Sequence, residues 1–369
     1  MKQSMLHIRK QEIGDISNST VIAINGDVTI DGEKYNTLLQ TLVEVVRKDF
    51  EQFSSIAISN AKEELSNFLK QIFEKLARDG QIHLAEKFQN PPIQIGLHDS
   101  LISYMSSEDD NVKEYIVDIM IDRLKAESGT TEQAIVSEAI KLIPNLNRTT
   151  LSLLALMNLR HQIMLPPVSF ILESSFAELS PIVNQAPQIS NMDIDFISQN
   201  KCTRAITGLY PIDTLENHLL KQYDLYFRRE GSKEELDAFA ATHPEIMYQV
   251  NDMGTCMFCY THNDLEHWKF SDVNSKVFYD RLRARGQEYL IHLVEELKSK
   301  LVSFTQSEVR EYLCKINPNW MAVFNLLNSP QLNHTDLSML GMYIGSKYIS
   351  KVTKKPSLPI LSLANPISL

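Results

Sequence analysis

The chain has 369 residues, a formal net charge of −10 and only 12 glycines. No G-x-G-x-x-G dinucleotide loop, G-x-x-x-x-G-K-[ST] phosphate loop or G-x-S-x-G nucleophile elbow occurs in it. The acidic balance opposes nonspecific binding to nucleic acid or anionic membrane, and four cysteines are sparse for a disulfide framework. No apolar run is long enough to span a bilayer. The expected setting is cytoplasmic and reducing, with no membrane partner.

Residues 20–30 read TVIAINGDVTI. Two β-branched runs flank Asn25-Gly26, a pair that tolerates the positive φ of a type I′ turn, so the pattern predicts a β-hairpin. One two-stranded hairpin is marginal in water. Strand-like runs are few downstream, so the expected solution is pairing with hairpins of other copies of the chain. The alternative is a hairpin lying on its own helices.

Helical periodicity follows. Phe50, Phe53, Ala57, Ala61, Leu65, Phe68, Ile72 and Leu76 recur at spacings of three and four, up to a stop at Asp79-Gly80. A helix of that length packs along a partner, so it is the expected stem of an oligomer. Val21, Ile22, Ile24, Val28 and Ile30 of the hairpin and Phe50, Phe53, Leu65, Phe68 and Ile72 of the stem are the expected oligomerisation contacts.

Short helices broken at Pro91-Pro92 are expected next, then a helix over Val112–Lys125. Thr130–Gln133 has capping-box spacing, as do Asp213–Glu216, Ser232–Glu235 and Thr305–Glu308. An apolar helix runs from Thr149 towards Pro166-Pro167, and a soft boundary falls near 185–205. The last helix is expected over Asp336–Val352, followed by a Pro/Ser/Leu-rich tail. Gly341 and Gly345 share one face of it, which permits close helix approach in a soluble chain. The predicted fold is mainly α: an N-terminal hairpin plus long helix at 1–80, a helical domain at 81–190, a second at 200–352 and an extended tail at 353–369.

Chemistry-bearing residues are few. Cys256-Met-Phe-Cys259-Tyr-Thr-His262, with His267 beyond, offers thiolates and imidazoles that suit zinc. Structural zinc sites place their second ligand pair further off, so no cofactor is expected and zinc is the alternative. Asp264 and Glu266 beside the histidines suggest metal-assisted hydrolysis as a second function class. Glu114, Asp118 and Asp122 line one helix face without the Glu-x-x-His motifs of a di-iron bundle, which favours a solvated acidic face. Arg228 and Arg229 follow Tyr223, Tyr226 and Phe227, a pattern able to hold phosphate or stack bases. Buried aromatics with exposed arginines explain it equally well.

Three segments together resemble a known family. They are the hairpin ending Gly26-Asp27-Val28-Thr29-Ile30, the block Glu114-Tyr-Ile-Val-Asp118-Ile-Met-Ile-Asp122-Arg123-Leu124 before a capped helix, and Leu337-Ser-Met-Leu-Gly341-Met-Tyr-Ile-Gly345. Their order is similar to that of a poorly characterised family of bacterial helical proteins with a short N-terminal β element. Related N-terminal modules accompany proteins of bacterial conflict and phage defence. The resemblance covers about the first 165 residues and the last 20, and it implies no active-site residue. The expected function is therefore a non-enzymatic homo-oligomeric scaffold, sensor or interaction protein, in bacterial antiphage defence, with a protein partner. The alternatives are a metal-dependent hydrolytic effector and a nucleotide or nucleic-acid binder.

Overall fold

The structure is a computed structural model that describes residues 22–24, 28–30, 40, 55–107, 109–160, 169–206, 212–244, 258–260 and 267–354. The chain forms two compact units, 1–128 and 129–369. Both are mainly helical. Among the described residues no helix is long and apolar enough to cross a membrane. Of the hairpin expected over 20–30, only the backbones of Ile22–Ile24 and Val28–Ile30 are described. Asn25-Gly26, Val21, Phe50 and Phe53 lie outside the described residues.

In the first unit, α1 (Ser55–Arg78) leads to a 3₁₀ segment (Ile82–Gln89), then α2 (Pro91–Ser106) and α3 (Asp110–Lys125). α1 ends where the sequence places its stop. Gly80 takes φ +66, and Gln81 N–H closes back on the Leu76 carbonyl at 2.7 Å, a turn that needs the left-handed region glycine occupies at no steric cost. Pro91 and Pro92 open α2 rather than merely interrupting the chain. Proline suits the first helical turn, whose N–H groups have no intrahelical partner anyway. Leu65, Phe68 and Ile72 are 0% exposed; α1 packs on α2 and α3 of its own chain. From Leu65 to Leu76, the stripe expected to face a partner's stem is thus core of this unit.

The second unit begins with α4 (Thr131–Leu142), α5 (Arg148–Asn158), α6 (Ser169–Glu178), α7 (Ser180–Val183) and α8 (Asn191–Gln199). β1 (Thr203–Ala205), α9 (Leu215–Gln222), β2 (Gly231–Ser232) and α10 (Lys233–Thr242) follow. Next come β3 (Phe258–Tyr260), β4 (His267–Phe270), α11 (Ser275–Ala284), α12 (Ile291–Lys300), α13 (Gln306–Ile316), α14 (Trp320–Leu327), β5 (Thr335–Leu337) and α15 (Met339–Thr353).

The boundary expected near 185–205 falls inside this unit, because its two ends interlock. β1 pairs antiparallel with β5, Arg204 opposite Asp336, and α15 packs along α5. A Cβ at Gly345 would sit 2.5 Å from the Leu154 carbonyl oxygen, and one at Gly341 would collide with the Cys202 carbonyl. The two glycines are therefore contact points between backbones. A second core gathers Leu225, Phe239, Trp268, Phe270, Phe278 and Val294 around a small antiparallel sheet of order β2-β4-β3.

Candidate functional site

Of the four metal-ligand candidates, Cys256 and His262 lie outside the described residues and Cys259 is described only in its backbone. In the sheet, Cys259 stands opposite Lys269 and His267 opposite Ser232. Among the described residues no cluster of three or more His, Cys, Asp and Glu side chains converges on a metal-sized site.

The arginine pair is built into the fold. Arg228 donates from Nε to the Asp224 carbonyl at 2.8 Å and from Nη1 to the Lys298 and Leu301 carbonyls at 2.7 and 2.6 Å. It clamps the end of α12, where exposed carbonyls favour a cation. Burial holds its guanidinium below the usual arginine range. Arg229 pairs with Glu308 at 2.8 Å. The aromatics beside them offer no stacking platform: Tyr223, Tyr226 and Phe227 are at most 5% exposed, and Phe227 packs against Phe176, Phe304 and Tyr312.

A denser cluster, which the sequence analysis missed, joins Asp224 to the start of α11. Ser275 donates from its backbone N–H and from Oγ to the two Asp224 carboxylate oxygens, at 2.8 and 2.6 Å. Lys298 Nζ lies 2.7 Å from Asp224 and 3.3 Å from Ser275 Oγ. Serine beside lysine has the composition of a nucleophile and its base. The geometry opposes that use. Lys298 faces Glu295 at 3.6 Å as well as Asp224, so its ammonium is engaged in ion pairs that hold α12 to the start of α11. Asn274 caps α11 by accepting the Val277 N–H, while Asp224 adds negative charge at that helix's positive end. Nearby, Asp272 is 1% exposed and pairs with Arg281. Burial pushes its carboxyl up to about 6, against the opposing pull of Arg281.

Described residues also line an open cavity in each unit. The one in the first unit, of about 360 Å³, lies among α1, α2 and α3. Gln71 donates to Tyr104 Oη at 2.8 Å, Lys113 pairs with Glu64 at 2.8 Å and stands 5.1 Å from the centre of the Tyr104 ring, and Lys75 pairs with Asp118. Burial, and secondarily Glu64, raises the Tyr104 phenol. Asp118 of the acidic row on α3 is thus paired with a lysine of its own unit. In the second unit a groove of about 590 Å³ runs between α4 and the start of α15. Ser338 caps α15, accepting the Gly341 N–H at 3.2 Å and donating to the Lys201 carbonyl at 2.6 Å. Lys141 and Lys201 line the same groove.

A protein-family model matches residues 32–362. The chain belongs to that family. Its match spans both units and takes in the middle region, 200–352, which the resemblance did not cover; residues 20–30 fall outside it. No curated protein and no solved structure matches the chain.

Proposed function

We propose that the chain is a non-enzymatic, homo-oligomeric scaffold or sensor subunit that acts through a protein partner in bacterial antiphage defence. One observation carries the non-enzymatic part. Among the described residues, the polar side chains Arg228, Ser275, Lys298, Asp224 and the Glu216–Arg310 pair are joined to helix ends or to one another. They are committed to holding helices together, which suits a molecule whose product is its shape.

Assembly rests on the sequence of residues 20–30, whose β-branched runs about Asn25-Gly26 fit strand addition between copies. The test is deletion of residues 1–32 with mass measured by light scattering. A drop to the mass of one truncated chain, below the 42.2 kDa of the full chain, is expected for the assembly reading, and an unchanged number of chains per particle overturns it. The defence role rests on the resemblance alone. Phage plating on cells with and without the gene tests it, and equal plating across a phage panel removes it.

A further inference from the structure

The groove of about 590 Å³ in the second unit lies between α4 and the start of α15, two helices that pack together. Its apolar lining includes Ala134 and Ile135 on one side and Met339 and Leu340 on the other. Ala134 is exposed and the other three are half-buried. The charged groups ask for no ion. Ser338 already caps α15, Lys141 stands 3.7 Å from Glu138, and Lys201 is exposed to water. Such a groove suits an uncharged segment with apolar side chains.

The sequence that follows α15 has that chemistry. Residues 356–369, PSLPILSLANPISL, lie outside the described residues and hold no charged side chain. Lys354 ends α15 in the left-handed region, at φ +55, the cap that turns a chain out of the helix axis. Pro356 cannot continue the helix. α15 has 15 residues, about 22 Å at roughly 1.5 Å each. An extended chain covers that length in about seven residues at roughly 3.3 Å each. Counted back from Lys355 along α15, Ile360, Leu361 and Leu363 come level with Met339 and Leu340. The family match runs on past Lys354 to residue 362, so Ile360 and Leu361 lie within the family's shared sequence.

We propose that the segment after α15 turns back along that helix and docks Ile360, Leu361 and Leu363 in the groove of its own chain, beside Ile135 and Leu340. A tether of about seven residues gives it a high effective concentration there, against which any other occupant must compete. Docking of this kind does not rest on the homo-oligomeric reading, since one chain supplies both the groove and its occupant.

The experiment uses the full chain carrying both Ile135→Cys and Leu361→Cys. A short bismaleimide is expected to join positions 135 and 361 within one chain, read by peptide mass spectrometry in a species of unchanged chain number. A mixture of the single variants I135C and L361C is expected to give no joined pair. A pair joined across that mixture shows a segment donated by another copy and overturns docking within one chain. No 135–361 link in either sample overturns it as well. The second measurement is the rate at which a maleimide modifies the I135C thiol. Deletion of residues 356–369 is expected to raise that rate about tenfold, as is Leu361→Asp, with the helical circular-dichroism signal unchanged. A rate that both changes leave alone shows that this segment does not cover the groove, and overturns the proposal whatever the deletion of residues 1–32 does to the mass.

Discussion

Each unit buries an arginine, and the two are treated differently. Arg160 of the second unit is 5% exposed and is held at a helix end. Its Nη1 donates to the Leu332 carbonyl at 3.1 Å, and its Nη2 donates to the Leu327 carbonyl at the end of α14. Arg123 of the first unit is 2% exposed. Its one hydrogen bond runs from Nη2 to the Pro92 carbonyl at 3.3 Å, while Nε and Nη1 are buried with no partner. Burial lowers both guanidinium groups, Arg160 to about 10 with Asp336 and Glu216 pulling the other way. A buried cation that holds carbonyls together resists removal, whereas one that merely occupies space costs the fold its own desolvation. The second unit uses buried charge as a fastener, and the first tolerates it.

Arg160→Met gives the largest effect expected from this contrast. It removes two charge-assisted bonds, to the Leu327 and Leu332 carbonyls, and leaves the Leu332 carbonyl with the Thr335 N–H at 3.4 Å, a loss of about 3–5 kcal/mol. Hydrogen exchange is the suitable measurement, because the chain has two compact units and one melting temperature would blend them. Protection is expected to fall in peptides of α14 and α5 while those of α1–α3 stay unchanged. Unchanged protection throughout the second unit would show that Arg160 fastens nothing.

Asp272 sharpens the same contrast, because it is an acid of the second unit whose burial outweighs its pairing with Arg281. Its folded pKa, about 6, lies above the ordinary carboxylate value of 3.8. A raised carboxylate binds its proton more tightly in the folded chain. The stability it contributes is therefore full below about pH 4 and is lost as pH rises through about 6. Comparison of denaturant stability with that of Asp272→Asn isolates this from other carboxylates, whose linkage has the opposite sign, as at Asp193 and Asp213. The difference between the two chains is expected to move by about 2–3 kcal/mol between pH 4 and 7. A pH-independent difference would mean that Asp272 stays ionised throughout.

The contrast also explains what the sequence disclosed. Helix starts were legible where a cap needs only its own next three residues. Ser232 and Thr305 form the reciprocal boxes their spacing predicts, and Thr130 forms half of one, accepting the Gln133 N–H while the Gln133 side chain accepts from Gly129 N–H. At Asp213–Glu216 the same spacing misled. Thr214 takes the cap, and Glu216, 0% exposed, is drawn inward by Arg310 and by Asn328 Nδ2 at 2.8 Å. Those partners lie about a hundred residues on, beyond the reach of any local pattern. The structural partners of Arg228 were out of reach for the same reason, since the carbonyls of Lys298 and Leu301 are remote in sequence. Gly341 and Gly345 were legible because small residues four apart mark a helix face whatever packs there. The apolar stripe of α1 was read correctly as a packing surface, but periodicity does not say whose helix fills it.

The smallest expected effect is the most discriminating. Arg123→Met removes a guanidinium with two unpartnered nitrogens and keeps an unbranched chain of similar length. The side chain is walled in already: Arg123 Cγ lies within ordinary contact of the space above Gly96. Methionine fills such gaps at little strain, and only the bond to Pro92, at 3.3 Å, is lost. The expected change in the exchange protection of α2 and α3 is within about 1 kcal/mol, in either direction. A loss as large as that of Arg160→Met would break the contrast. It would mean that the first unit also depends on its buried cation, and that the single bond to the Pro92 carbonyl fastens α3 to the start of α2.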